Sequence, residues 1–126
     1  MKLLRMITFM LPAIVFLVGC GAGREKPVSI HPIQIDLNEQ RIVRATVMSQ
    51  LKDPYSAIFG GYSAWLVTMK DNRREKVICG LVNAKNSFGG YVGDKQYIAV
   101  SPSVYSSSYR VRIGLPYCYF DYGITP

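Results

Sequence analysis

Tyr62-Ser63-Ala64-Trp65-Leu66-Val67-Thr68-Met69-Lys70, then Asp71-Asn72-Arg73-Arg74, then Glu75-Lys76-Val77-Ile78-Cys79-Gly80-Leu81-Val82-Asn83 is the stretch that decides the fold. Trp65, Val67 and Met69 recur at period two, the polar Asp71 to Arg74 reads as a turn, and Val77, Ile78, Leu81 and Val82 bring the apolar pattern back. That is the signature of an antiparallel hairpin. Downstream, a strand is expected over 95–101 with Tyr97, Ile98 and Val100, and another over 109–113, where Arg110 and Arg112 alternate with Tyr109, Val111 and Ile113 and mark the wet face. Upstream, Ile42, Val43, Val47 and Leu51 make one apolar side of a helix over 37–52. Asp36 is placed to cap it, with Glu39 three residues on, and Asp53-Pro54 ends it. Helix first and strands after predict an α+β domain: one N-terminal helix packed on a small antiparallel sheet of about four strands.

The chain has 126 residues, 49% hydrophobic and 18% charged, which suits one compact domain and not two. Fifteen Lys+Arg against eight Asp+Glu give a net charge of +7. Three cysteines and one histidine leave little material for metal or redox chemistry.

The N-terminus carries the clearest functional signal. Met1-Lys2-Leu3-Leu4-Arg5 is a short basic start, and the apolar run over 6–18 is broken only by Thr8 and Pro12. A spanning helix needs about 20 apolar residues, so this run is too short for an anchor and reads as an export signal. It ends in Leu17-Val18-Gly19-Cys20, which resembles the lipobox of bacterial lipoproteins. The resemblance implies removal of residues 1–19 and acylation of Cys20, in the manner of palmitate-bearing lipoproteins, with the membrane as partner through those acyl chains. Gly21 in place of aspartate implies, for a host with two membranes, the outer membrane facing the periplasm. Residues 20–34, rich in Gly, Pro and charge, are expected to be the lipidated cysteine and a flexible tether, and residues 35–126 the folded domain. His31, the single histidine, lies on that tether.

Two further segments carry a second resemblance. Lys52-Asp53-Pro54-Tyr55-Ser56-Ala57-Ile58-Phe59 and the segment from Cys79-Gly80 through Val82-Asn83, Lys85-Asn86 and Gly89-Gly90-Tyr91 together resemble a group of small exported proteins and lipoproteins of proteobacteria and their prophages. This group has no assigned activity, so the resemblance implies a fold and no catalytic residues. Phe59-Gly60-Gly61-Tyr62 recurs as Phe88-Gly89-Gly90-Tyr91, an echo expected from repeated turn chemistry.

With Cys20 lipidated, Cys79 and Cys118 are the two thiols left, and an oxidising periplasm favours a disulfide between them. Asn83, Lys85 and Asn86, followed by two glycines and Tyr91, are the candidate ligand or partner surface, although asparagines beside glycines also make turns by bonding their own backbone. Lys70, Arg73, Arg74 and Lys76, with Arg110 and Arg112, are either a basic face for anionic head groups or a solvated surface. Tyr105, Tyr109, Tyr117, Tyr119 and Tyr122 crowd the end of the chain beside Ser106 to Ser108.

No nucleophile, base and orienting group fall together, so no enzyme, cofactor, metal site or nucleic-acid partner is expected. The expectation is a lipid-anchored envelope protein that binds or scaffolds, with another envelope protein as its partner. The alternatives are a prophage-type surface-modifying or superinfection-exclusion lipoprotein, and a cell-wall glycan-binding module or weak hydrolase.

Overall fold

A computed structural model describes residues 25–114 and 116–124. The chain forms β1 (Ser29–Ile33), α1 (Leu37–Met48), a 3₁₀ turn (Pro54–Ser56), β2 (Ile58–Thr68), β3 (Arg74–Asn83), β4 (Lys95–Ser101), β5 (Arg110–Gly114) and α2 (Tyr117–Tyr122). The strands make one antiparallel sheet in the order β1-β2-β3-β4-β5, every strand beside its sequence neighbour.

The domain is mostly sheet, which corrects the expectation of a helix on four strands: there are five strands and one long helix. The added strand comes from the segment expected to be tether. In β1, Ile30 packs into the core on one face of the sheet and Ile33 into the core on the other. One isoleucine per face leaves no period-two pattern to read. Pro32 also argues against a strand, but β1 is an edge, where a residue without an N–H is tolerated.

The sheet is buried on both faces. On the first, Val43 and Val47 of α1 meet Ile78, Val82, Tyr97, Ala99 and Val111. Asp36 caps α1 as expected, its Oδ1 accepting from the Glu39 N–H at 2.7 Å. The Glu39 side chain bonds the sheet: its Oε1 accepts from Lys76 Nζ and from the Tyr109 hydroxyl. On the second face, Val67, Val77, Cys79 and Ile98 are covered by Cys118, Tyr122 and Ile124. Cys79 and Cys118 form a disulfide that ties the central strand to α2, with 6.2 Å between their Cα atoms. Further contacts seat α2: Tyr122 donates to Glu75 Oε2 at 3.0 Å, Arg112 pairs with Asp121, and the Arg112 guanidinium lies 4.2 Å from the centre of the Tyr117 ring. Gly123, with φ 70°, ends α2 in the left-handed conformation that suits glycine, and its N–H returns to Tyr119 O at 2.8 Å.

The two Phe-Gly-Gly-Tyr segments have different structures. The first is a bulge inside β2, where register shifts between Phe59 and Tyr62. Phe59 there packs edge-on against Tyr97, with ring centres 6.1 Å apart. The second is a turn at a loop tip, and Phe88 is 97% exposed. Gly80 is required by close approach: a Cβ there would lie 2.5 Å from Cζ of Tyr97, whose ring crosses the strand.

Both edges of the sheet are modified. Pro32 removes a donor from β1, and Gln50 Nε2 donates to Val111 O of β5 at 2.9 Å, occupying a backbone acceptor.

Candidate functional site

The candidate surface lies at the end of the sheet where β2 begins and β3 ends, since Ile58 pairs with Asn83. Here the two segments of the resemblance pack on each other through Ser56. Its Oγ accepts from the Lys85 N–H at 2.8 Å and donates to Asp53 O at 2.8 Å, and its carbonyl accepts from the Tyr91 hydroxyl at 3.2 Å. Pro54 starts the 3₁₀ turn that aims Ser56 in this direction. Ser56 was visible in the sequence only as one letter of a motif, because its partners lie 29 and 35 residues away.

Asn83, Lys85, Asn86 and Tyr91 are brought together, and most of their polar groups hold the loop in shape. Asn86 Oδ1 accepts from the N–H groups of Phe88 at 2.9 Å and Gly90 at 3.2 Å, while its own N–H donates to Gly90 O at 2.8 Å. Asn83 Oδ1 accepts from the Gly93 N–H at 3.1 Å. Lys85 and Tyr91 form an isolated bridge, with the Lys85 ammonium 5.5 Å from the centre of the Tyr91 ring. Of the two roles weighed for the asparagines, turn-making is the one their hydrogen bonds perform.

Beside this rigid loop is a cleft of about 260 Å³. Lys52, Lys85 and Lys95 line it, together with Leu51, Val82, Val92 and Ile113. No carboxylate lines it: Asp53 and Asp94, the sequence neighbours of Lys52 and Lys95, are both absent from its wall. Among the described residues none of the three lysines is in an ion pair. Tyr55 and Phe88, 96% and 97% exposed, stand on the 3₁₀ turn and the loop that frame this end. Lys52 and Lys95 were not among the sequence candidates, because 43 residues separate them and neither stands in a charge run.

Three of the six residues in the basic cluster around the hairpin turn are engaged by carboxylates. Lys76 turns toward α1 and Glu39, Arg73 pairs with Asp71, and Arg112 pairs with Asp121 beside α2. The hydrogen bond from the Arg73 side chain holds the Asp71 carboxyl below its ordinary range. Burial first, then the Glu39 carboxylate, push the Tyr109 phenol well above its ordinary range, and burial also raises Tyr97.

Cys20 and the lipobox lie outside the described residues. His31 is exposed on β1. Among the described residues no group of three His, Cys, Asp or Glu side chains gathers to hold a metal, and no helix is long and apolar enough to cross a membrane. The chain matches no protein-family model, no curated protein and no solved structure.

Proposed function

We propose that this chain is a lipid-anchored protein of the bacterial cell envelope that works by binding rather than catalysis. Acyl chains on Cys20 hold it to the membrane, with the outer membrane facing the periplasm as its place in a two-membrane host, and another envelope protein is its partner. Leu17-Val18-Gly19-Cys20 at the end of a short apolar run carries this reading. Each buried CH₂ contributes about 0.8 kcal/mol, so several acyl chains on one residue hold firmly where one chain is marginal. The Cys79–Cys118 bond suits an oxidising compartment.

The fold supports an outward-facing loop end. Val28 N donates to Thr68 O, so the chain enters the domain at the end where β2 finishes and β3 starts. The ten residues of β3 span about 30 Å, and the lysine cleft lies at their far end. A domain anchored through Cys20 therefore presents that cleft away from the anchor.

Intact mass spectrometry of protein from host membranes, before and after reduction, tests the proposal. The expected mass is that of residues 20–126 plus acyl chains, rising by two hydrogens on reduction. An unacylated mass, or the mass of the whole precursor, overturns the anchor.

A further inference from the structure

We infer that the cleft bounded by Lys52, Lys85 and Lys95 receives an acidic segment of a partner protein, with Phe88 and Tyr55 taking apolar side chains beside it. This rests on the binding reading above and supplies the chemistry of the partner.

Charge is the first ground. Three cations elsewhere in the domain are paired, Lys76 with Glu39, Arg73 with Asp71 and Arg112 with Asp121. At the cleft Lys52, Lys85 and Lys95 line a wall with no carboxylate, the Lys85 ammonium lying over the Tyr91 ring beside it. Cationic side chains on a wall without a counter-charge give it a positive potential, which an acidic segment complements.

Exposed aromatics beside the cleft favour a polypeptide over a small molecule. At about 260 Å³ the cleft is at the small end of the range for ligand pockets, roughly 300–1,000 Å³, and has room for a few side chains. Phe88 and Tyr55 are almost wholly exposed. Large aromatic side chains of this kind are the residues on which protein interfaces concentrate their energy. The loop that carries Phe88 is already fixed by Asn86, Asn83 and Ser56, so docking orders little new backbone.

Lysines with exposed aromatics also suit a membrane surface, but the anchored orientation argues against it. Gly21 to Val28 extend at most about 28 Å. A domain standing on its anchor keeps the cleft clear of the bilayer, and the vesicle arm of the test below addresses a domain that lies flat.

The test is an NMR titration of the isotope-labelled mature protein, purified from host membranes in detergent, with a synthetic peptide of alternating Glu and Phe. The expected shifts centre on the amides of Lys85, Asn86, Phe88 and Lys95. The K52Q/K85Q/K95Q variant is expected to weaken binding by about tenfold, and R73Q/R74Q to leave it unchanged. A peptide of alternating Lys and Phe is expected not to bind, which keeps the test independent of how the triple variant folds. Shifts centred on Arg73 and Arg74, equal binding of both peptides, or wild-type affinity in a folded triple variant overturns the inference. Displacement of the peptide by phosphatidylglycerol vesicles and not by phosphatidylcholine vesicles assigns the cleft to lipid and overturns it too. Intact mass of the same sample separates the two readings. Acylated protein that does not bind removes the cleft alone, and unacylated protein that binds removes the anchor alone.

Discussion

Glu39 Oε1, in the first turn of α1, accepts a hydrogen bond at 2.7 Å from the hydroxyl of Tyr109, 70 residues further along the chain. The same oxygen pairs with Lys76 of β3, and the Lys76 ammonium lies 5.8 Å from the centre of the Tyr109 ring. The side chains of Lys76 and Glu39 are only 13% and 18% exposed, so the pair is well shielded from water. Glu39→Ala leaves an ammonium and a phenol without their acceptor and is expected to cost about 2–4 kcal/mol. Urea denaturation measures this, and Lys76→Met, which keeps the packing of the stem, is expected to cost less.

Burial of Tyr109, with its bond to Glu39 second, makes the fold sensitive to alkali. The folded state raises the Tyr109 pKa above its ordinary value of 10.0, so this group's contribution is fully present below that pH. It is lost as pH rises above that value toward the folded one. Stability of the wild-type domain is expected to fall from about pH 10 upward, and Tyr109→Phe to fall less steeply. Tyr97, also raised, leaves part of the slope in place. Denaturant midpoints at stepped pH distinguish the two proteins.

Reduction of Cys79–Cys118 is expected to remove roughly 4 kcal/mol, the chain-entropy value for a loop of this size. Although α2 also holds through Tyr122 to Glu75 and Arg112 to Asp121, it loses its covalent tie to β3, so the reduced domain should lose the second face of its core before the first. Amide exchange under reducing conditions is expected to rise at Cys118 to Tyr122 while Val43 and Val47 stay protected.

Gly80→Ala puts a methyl group into the ring of Tyr97 and is expected to cost about 1–3 kcal/mol. Tyr97→Leu in the same chain removes the obstruction. A double-mutant cycle is expected to show strong coupling between the two positions, and additivity would refute the contact.

Asn86→Ala removes the acceptor for the Phe88 and Gly90 N–H groups. Exchange at those two amides is expected to speed up by about tenfold or more, the equivalent of one lost hydrogen bond, while β4 is unchanged. With the turn loosened, the peptide titration described above should also weaken.

Where side chains alternated, the elements were legible. The 95–101 strand and the hairpin show their apolar pattern within a few residues, and the cap at Asp36 bonds an amide three residues on. What was hidden depended on distance or on sharing between faces. β1 divides two isoleucines between two cores, and α2 is a six-residue helix that begins after a proline and is held by a disulfide and by groups on other strands. The candidate site divides the same way. Asn83, Lys85, Asn86 and Tyr91 were legible because they share one loop. Ser56, Lys52 and Lys95 were not, because only the pairing of β2, β3 and β4 brings them beside it.

Under the anchoring proposed above, which would hold copies at high density in two dimensions, Pro32 and Gln50 have a consequence. Neighbouring copies on a bilayer meet far more often than copies free in solution, and a sheet with two open borders is a template for polymerisation. One border here begins with a strand that lacks a donor at Pro32, and the other has a carbonyl already taken by Gln50. Copies that collide side by side find no unbroken ladder to extend, so crowding raises the number of encounters without nucleating a fibre.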